Sequence, residues 1–371
     1  MADLTTQLCG LELSNPFLLA SGPLSYDGEA LLRAHRAGAG AVVTKTICCE
    51  AARNPVPHIA KLRGGLLNSE KWSDLPARLW IDREIPLAKD GGATVIASVG
   101  LGAVNVKTLA RPLVSAGADA LEICSYTAEE MAPMVEEAVR HAQVPVLAKV
   151  SANWPDVTAV AVACLGKGAS GITAIDSVGP ALRLDIERRA PILGSGSGWL
   201  SGGAIFPISL RVVAEIAQAT GAAIVGTGGV QQVDECVEML MAGAHAIGLC
   251  SLPLIAGLRI FADMADGLAV RLEELGHARI EEAIGAALPA LALCELEADQ
   301  APAHTGRASA AAFVWNRELC TGCELCVDVC PYRARTKPDR VALDGCRLCG
   351  LCSSACPTGA LILEVRGNET T

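Results

Sequence analysis

Eight cysteines near the C-terminus constrain this chain more than any other feature. Cys320, Cys323, Cys326 and Cys330 form a C-x2-C-x2-C-x3-C run closed by Pro331, and Cys346, Cys349, Cys352 and Cys356 repeat that spacing, closed by Pro357. Three thiolates this close reach three corners of one iron–sulfur cubane when the loop winds tightly around it, which leaves the fourth corner to the other run. A disulfide framework would need an oxidising compartment, and the N-terminus carries no signal-peptide pattern. A zinc ribbon uses paired C-x2-C elements, not two four-cysteine runs each ending in Cys-Pro.

The pattern resembles the bacterial two-cluster ferredoxin signature. On that resemblance Cys320, Cys323, Cys326 and Cys356 hold one [4Fe–4S] cluster. Cys346, Cys349, Cys352 and Cys330 hold the second. Crossed ligation of this kind leaves neither half stable alone.

At 371 residues the chain is too long for one small ferredoxin and fits a large domain with an appended module. Aromatic residues are only 3% of it, while Ala, Gly, Val and Leu dominate, a balance that suits helices packed closely on parallel strands. The net charge of −10 comes without a basic stripe, so nucleic-acid binding is not expected. No apolar run is long enough to span a bilayer, so no membrane partner is expected either. The other cysteines are scattered apart from Cys48-Cys49 and read as small buried hydrophobes in a reducing cytoplasm.

Between Phe17 and about Leu252, short β-branched runs alternate with longer Ala/Leu/Glu stretches. The predicted strands are 17–20, 41–46, 94–99, 118–124, 145–150, 171–175, 223–226 and 244–249. Predicted helices include 128–141, 210–219 and 233–242. Eight strand–helix units predict an α/β fold, a closed (β/α)8 TIM barrel, with an open doubly wound sheet as the rival. Residues 166–171 match G-x-G-x-x-G but precede a strand, so they read as a helix-to-strand turn. The expected domains are a barrel over 1–296 that includes a helical stretch from about Ile255, a linker over 297–312, and a small bacterial-type ferredoxin domain over 313–371.

Chemistry in such a barrel sits at the C-terminal strand ends, and a phosphate commonly docks after strands seven and eight. Gly226 is followed there by Thr227, Gly228 and Gly229, and Leu249 by Cys250 and Ser251. Glycines let main-chain N–H groups approach phosphate oxygens. Residues 198–203, Gly-Trp-Leu-Ser-Gly-Gly, offer another such loop.

These pieces resemble the FMN-binding dihydroorotate and dihydropyrimidine dehydrogenase family. The matching segments are Asn15-Pro16-Phe17, Ala20-Ser21-Gly22, Gly40 to Thr46, and Gly65-Leu66-Leu67-Asn68 against the family's G-L-P-N. Leu147-Ala148-Lys149-Val150, Gly198 to Gly202, and Gly226-Thr227-Gly228-Gly229-Val230 continue the match, which covers about residues 3 to 270. The dihydropyrimidine dehydrogenase branch pairs this barrel with two-cluster ferredoxin sequence on its C-terminal side. The resemblance implies bound FMN, with Ala20, Ser21, Lys45, Asn68, Glu122 and Lys149 around the ring system. Gly202, Gly228, Gly229, Cys250 and Ser251 fall at the phosphate. Lys149 suits the flavin N1/O2 edge, where a cation stabilises the negative charge left by two-electron reduction.

The substrate side departs from the family. After strand four the family carries N-x-S-C-P-N or N-x-S-S-P-N, whereas this chain reads Glu122-Ile123-Cys124-Ser125-Tyr126-Thr127. The first Asn becomes Glu122, the general-base position becomes Ser125, and Pro-Asn becomes Tyr126-Thr127. After strand six stands Thr173-Ala174-Ile175-Asp176-Ser177 where the family has an Asn-containing stretch. A carboxylate only accepts hydrogen bonds unless protonated. Glu122 and Asp176 together would repel an orotate carboxylate and pair poorly with ring carbonyls. Cys124 is expected to point away from the face that carries Ser125. The histidines show no motif spacing.

The expected function is therefore that of an iron–sulfur flavoprotein oxidoreductase. It moves a hydride between FMN and a C–C or C–N bond of a small, cyclic substrate, with Ser125, Lys149 and Lys45 as catalytic candidates. The clusters exchange single electrons with a partner. With no nicotinamide fingerprint and no FAD domain in the sequence, the partner is expected to be an FAD/NAD(P)-binding reductase subunit or a soluble ferredoxin, in a homo- or hetero-oligomer. The rival reading is a non-catalytic electron-transfer subunit of a larger redox complex.

Overall fold

The β-branched runs pair in parallel and close on themselves. In the computed structural model, which describes residues 1–300, 311–342 and 344–365, the chain divides into two units, Met1–Ala292 and Leu293–Thr371. The first is a closed barrel of eight parallel strands: Phe17–Leu19, Ala41–Val43, Val95–Gly100, Ala120–Cys124, Val146–Val150, Gly171–Ala174, Ala223–Thr227 and Ala246–Leu249. The last strand pairs with the first, Ile247 opposite Phe17, so no edge is left and the open-sheet rival falls away.

The two-residue period of each strand sorts its side chains into two cores. On Ala120–Cys124, Leu121 and Ile123 face the surrounding helices, while Ala120 joins an inner cluster with Leu18, Val43, Ile96, Leu147 and Val225. The helices are apolar on one face only. In Ala128–His141 the buried residues are Met131, Met134, Val135 and Ala138, spaced to form one stripe against the barrel. Glu129 and Glu130 open that helix and Arg140 and His141 close it, each sign matched to the helix dipole. Burying each such large apolar side chain contributes about 1.5–3 kcal/mol. The G-x-G-x-x-G stretch runs from the last residue of helix Val157–Gly166 to the first of strand Gly171–Ala174, a turn as its order predicts.

Two additions shape the barrel ends. A hairpin of Thr6–Leu8 and Leu11–Leu13 places Leu8 and Leu13 in the inner cluster and plugs the N-terminal end. At the other end an unanticipated antiparallel sheet forms from Ile59–Leu62, Gly65–Asn68, Gly198–Ser201 and Val178–Ala181. Residues 198–201, read in the sequence as a glycine loop, are thus a strand. Among the described residues no helix is long and apolar enough to cross a membrane.

The predicted linker over 297–312 lies largely outside the described residues. Its start belongs to helix Leu288–Gln300 and its end to strand Ala311–Trp315. In the second unit that strand pairs antiparallel with Leu361–Val365, and two one-turn helices, Leu325–Asp328 and Leu351–Ser354, repeat one another. Each is preceded by a left-handed residue, Glu324 or Gly350. Each buries its second residue, Cys326 or Cys352, in a small core with Leu361.

Candidate functional site

The inward residues at the upper ends of the strands are polar, unlike those below them. Lys45, Ser98, Glu122, Lys149, Thr173 and Thr227 are all buried. Above them opens a cleft bordered by residues from every barrel strand end and from the mouth sheet.

Of the sequence candidates, Ala20, Ser21, Lys45, Asn68, Ser125, Lys149, Gly228, Gly229, Cys250 and Ser251 border this cleft. Gly202 does not: it packs on Gly65, where an added Cβ would come 2.5 Å from the Gly65 Cα, and Ser201 faces the cleft instead. Glu122 also lies off the cleft, on a smaller void beneath it inside the barrel. Cys124 does not turn away from Ser125. It faces inward two residues after Glu122, and both it and Ser125 border the cleft.

Two buried lysines dominate the electrostatics, and each has a carboxylate. Lys45 Nζ lies 2.8 Å from Glu70 Oε2, and His58 Nε2 is 3.7 Å from the other oxygen of Glu70. Lys149 Nζ lies 3.5 Å from Asp176 Oδ1. Burial alone would lower the Lys149 ammonium, yet Asp176 and Glu122 hold its pKa above the ordinary lysine value. Cys124 Sγ points at Asp176 Oδ2 at 3.7 Å, and burial, followed by the Asp176 charge, pushes that thiol up. Asn68 Oδ1 accepts the Glu70 amide at 2.7 Å, which turns its NH2 toward other partners. Ser125 Oγ donates to the Thr127 carbonyl at 2.9 Å and accepts the Thr127 N–H at 3.1 Å.

Sequence reasoning missed Glu70, Trp72, Asn153 and Trp199, which also border the cleft. Glu70 could have been sought as the partner that a buried Lys45 requires. Trp199 had no signal until its segment was seen as a strand.

The donor set fits FMN. Gly228 and Gly229 have φ of +125° and +92°. An added Cβ on Gly229 would come 2.5 Å from the Phe206 nitrogen, so only glycine gives this close main-chain turn. Ser209 Oγ donates to the Gly228 carbonyl and fixes the turn from behind. Ser251 borders the same cleft, and the glycine turn, Ser251, Lys45, Lys149 and Ser21 are donors of the kinds that a flavin's phosphate and polar ring edge would take.

In the second unit Cys320, Cys323, Cys326 and Cys356 border one cavity, together with Trp315, Pro338 and Leu361. Among the described residues no three His, Cys, Asp or Glu side chains converge closely enough to hold a single metal ion. Thiols arranged around a space suit a cluster. Main-chain N–H groups also gather on sulfur. Burial raises the Cys330 and Cys356 thiols, but hydrogen bonds from their following amides outweigh it and leave both below the ordinary cysteine value. The Leu348 amide donates to Cys346 Sγ at 3.4 Å.

Residues 100–272 match the family model described as dihydroorotate dehydrogenase, and residues 313–336 and 341–362 match that of the 4Fe-4S binding domain. The chain is similar to the catalytic subunit of dihydroorotate dehydrogenase B (NAD(+)) from several organisms. Identity is 32% to that of Thermoplasma acidophilum, over 78% of this chain and 100% of the relative. It is 32% to that of Pyrococcus abyssi, over 77% and 99%, and 35% to that of Methanosarcina acetivorans, over 75% and 94%.

Proposed function

The chain belongs to the dihydroorotate dehydrogenase family and carries a 4Fe-4S binding domain; on that premise we propose that it oxidises or reduces a CH–CH bond in an uncharged or cationic ring that bears an N–H donor. FMN, held by the residues above, would supply hydride exchange and the division of an electron pair into single electrons for the iron–sulfur unit.

The observation that carries the substrate class is the pairing of both cleft lysines. Lys45 is matched by Glu70 and Lys149 by Asp176, so neither cation is left for a substrate carboxylate. Asp176 is the accepting group at this side of the cleft, and the Asn68 NH2 is a donor for a ring carbonyl. A ring amide of the dihydropyrimidine kind presents both partners. Glu122, being below the cleft, does not oppose it.

Ser125 is the proposed proton-transfer group. Its Oγ already accepts the Thr127 N–H, a fixed donor that steadies negative charge on that oxygen as its proton leaves. Its own proton is held by a carbonyl that cannot take it, so water completes the path. Lys149 stabilises negative charge at the site and Lys45 orients the Glu70 side of the cleft.

The partner that exchanges electrons with the clusters is proposed to be a flavin- or nicotinamide-binding subunit. The relatives' description as catalytic subunits supports a second subunit. The two four-cysteine runs support two clusters, ligated in the crossed sets given above.

The test is anaerobic flavin bleaching by single substrates. Dihydrouracil and related neutral dihydro rings should reduce the flavin faster than dihydroorotate. Preference for dihydroorotate would sink the substrate class. No bleaching by any ring, with intact dye-mediated electron transfer, would favour a relay subunit.

A further inference from the structure

Three buried oxygens in the barrel lack a protein partner, and they border one small void. Glu122 Oε1, Thr173 Oγ1 and Thr227 Oγ1 make no hydrogen bond within the described residues. All three residues line the internal void beneath the cleft, which has room for roughly one water molecule. Glu122 is 3% exposed, on the strand beside Lys149, and register places Ser98 opposite it and Cys124 opposite Lys149. A carboxyl buried this deeply is costly to keep charged unless it is neutralised or bonded to a water in that void, which ties its protonation to its surroundings.

We propose that Glu122 is a proton-holding positioning residue for the flavin: when an electron pair enters the site, one solvent proton is taken up on its carboxyl, and when the pair leaves through the clusters that proton is returned. Substrate oxidation would send a hydride to the flavin and a proton by way of Ser125 to water, while Glu122 takes one proton from water, so the charge of the site is the same in both states. When the pair leaves, the hydride's hydrogen and the Glu122 proton both return to water. The inference rests on the FMN-binding reading above.

The surroundings set the protonation. Lys149 faces Glu122 from the neighbouring strand, and Asp176 faces it from the loop one strand further on. The hydroxyls of Ser98 and Thr173 are the near polar groups, and Leu18, Val43, Ile96, Leu147 and Val225 supply the remaining walls. Burial raises the Glu122 pKa, and the Lys149 charge opposes that. A negative charge arriving above Lys149 cancels its influence, so the carboxyl gains affinity for a proton in the reduced state. Lys149 thus transmits the redox state of the ring to a group that does not border the cleft.

The measurement is the FMN midpoint potential against pH for the purified full chain and for Glu122→Gln. The wild-type slope should be up to about twice as steep as the variant's over the range where Glu122 titrates, because a second proton accompanies the electron pair. A reduced-minus-oxidised infrared difference spectrum of the wild-type protein should show a protonated carboxylic acid C=O band gained on reduction, and needs no variant to fold. Equal slopes, or no such band, with FMN bound at full content would overturn the proposal and leave the flavin reading intact. A chain that binds no FMN would overturn both.

Discussion

Lys149 Nζ lies 3.5 Å from Asp176 Oδ1, so the deepest cation of the cleft has its counter-ion before a substrate arrives. The same carboxylate receives the Cys124 thiol through its other oxygen. Charge selection on the Lys149 side of the cleft therefore turns on one aspartate.

Asp176→Asn should weaken the discrimination against carboxylated rings. Freed from its partner, Lys149 can receive an anionic substrate, and KM for dihydroorotate is expected to fall about tenfold, roughly 1.4 kcal/mol. Steady-state kinetics on dihydroorotate and dihydrouracil would check it. An unchanged ratio of the two kcat/KM values would contradict the role given to Asp176.

Ser125→Ala should slow flavin reduction by substrate about 100-fold or more, the ordinary loss for a proton-transfer group. Reduction of the flavin by dithionite should be unaffected. Stopped-flow traces with normal rates for the substrate would remove Ser125 from the reaction.

Gly229→Ala should strip the cofactor. The residue has φ of +92° and the new methyl would crowd the Phe206 nitrogen, a conformational cost of about 1–3 kcal/mol at the glycine turn. Released-flavin fluorescence should show lower FMN content while iron and sulfide stay at wild-type levels.

Arg335→Gln should lower the midpoint potential of a cluster. Arg335 is 3% exposed, its guanidinium lies 4.6 Å from the Phe313 ring centroid, and its Nε and Nη2 have no hydrogen-bond partner among the described residues. Its charge acts on Cys326, so its loss disfavours the more negative reduced cluster. Potentials from an EPR-monitored titration that match wild type would refute it.

Glu122→Gln should raise stability more at alkaline than at acid pH. Burial raises the folded-state pKa of Glu122 above its ordinary 4.5, so the folded chain binds more protons than the unfolded one above that pH. Stability contributed by the protonated form is complete below 4.5 and declines as pH rises toward the folded value. Glutamine cannot ionise and escapes that decline. Thermal melts across this range that show a constant difference between the two proteins would argue against a raised Glu122 pKa.

The eight strands were legible because buried parallel strands are dense in β-branched residues, and all eight predicted runs contain an observed barrel strand or overlap most of it. The mouth sheet was not, because its strands are short and one contains Gly179-Pro180, which reads as a turn. Lys45 and Lys149 were legible as charges at the ends of apolar runs, but their partners come from distant loops that no local pattern reveals. Glu122 and Cys124 share the inward face by simple alternation, whereas Ser125 lies past the strand end, where alternation no longer predicts direction. The level of Glu122, below the cleft and not in it, depends on how far each strand rises around the barrel.

The plug formed by Leu8 and Leu13 has a kinetic corollary. With the floor of the cylinder sealed, an oxidisable ring and any acceptor that draws electrons directly from the cleft, bypassing the clusters, must queue at one doorway. Their half-reactions then alternate in time, and double-reciprocal plots for such a pair should run parallel.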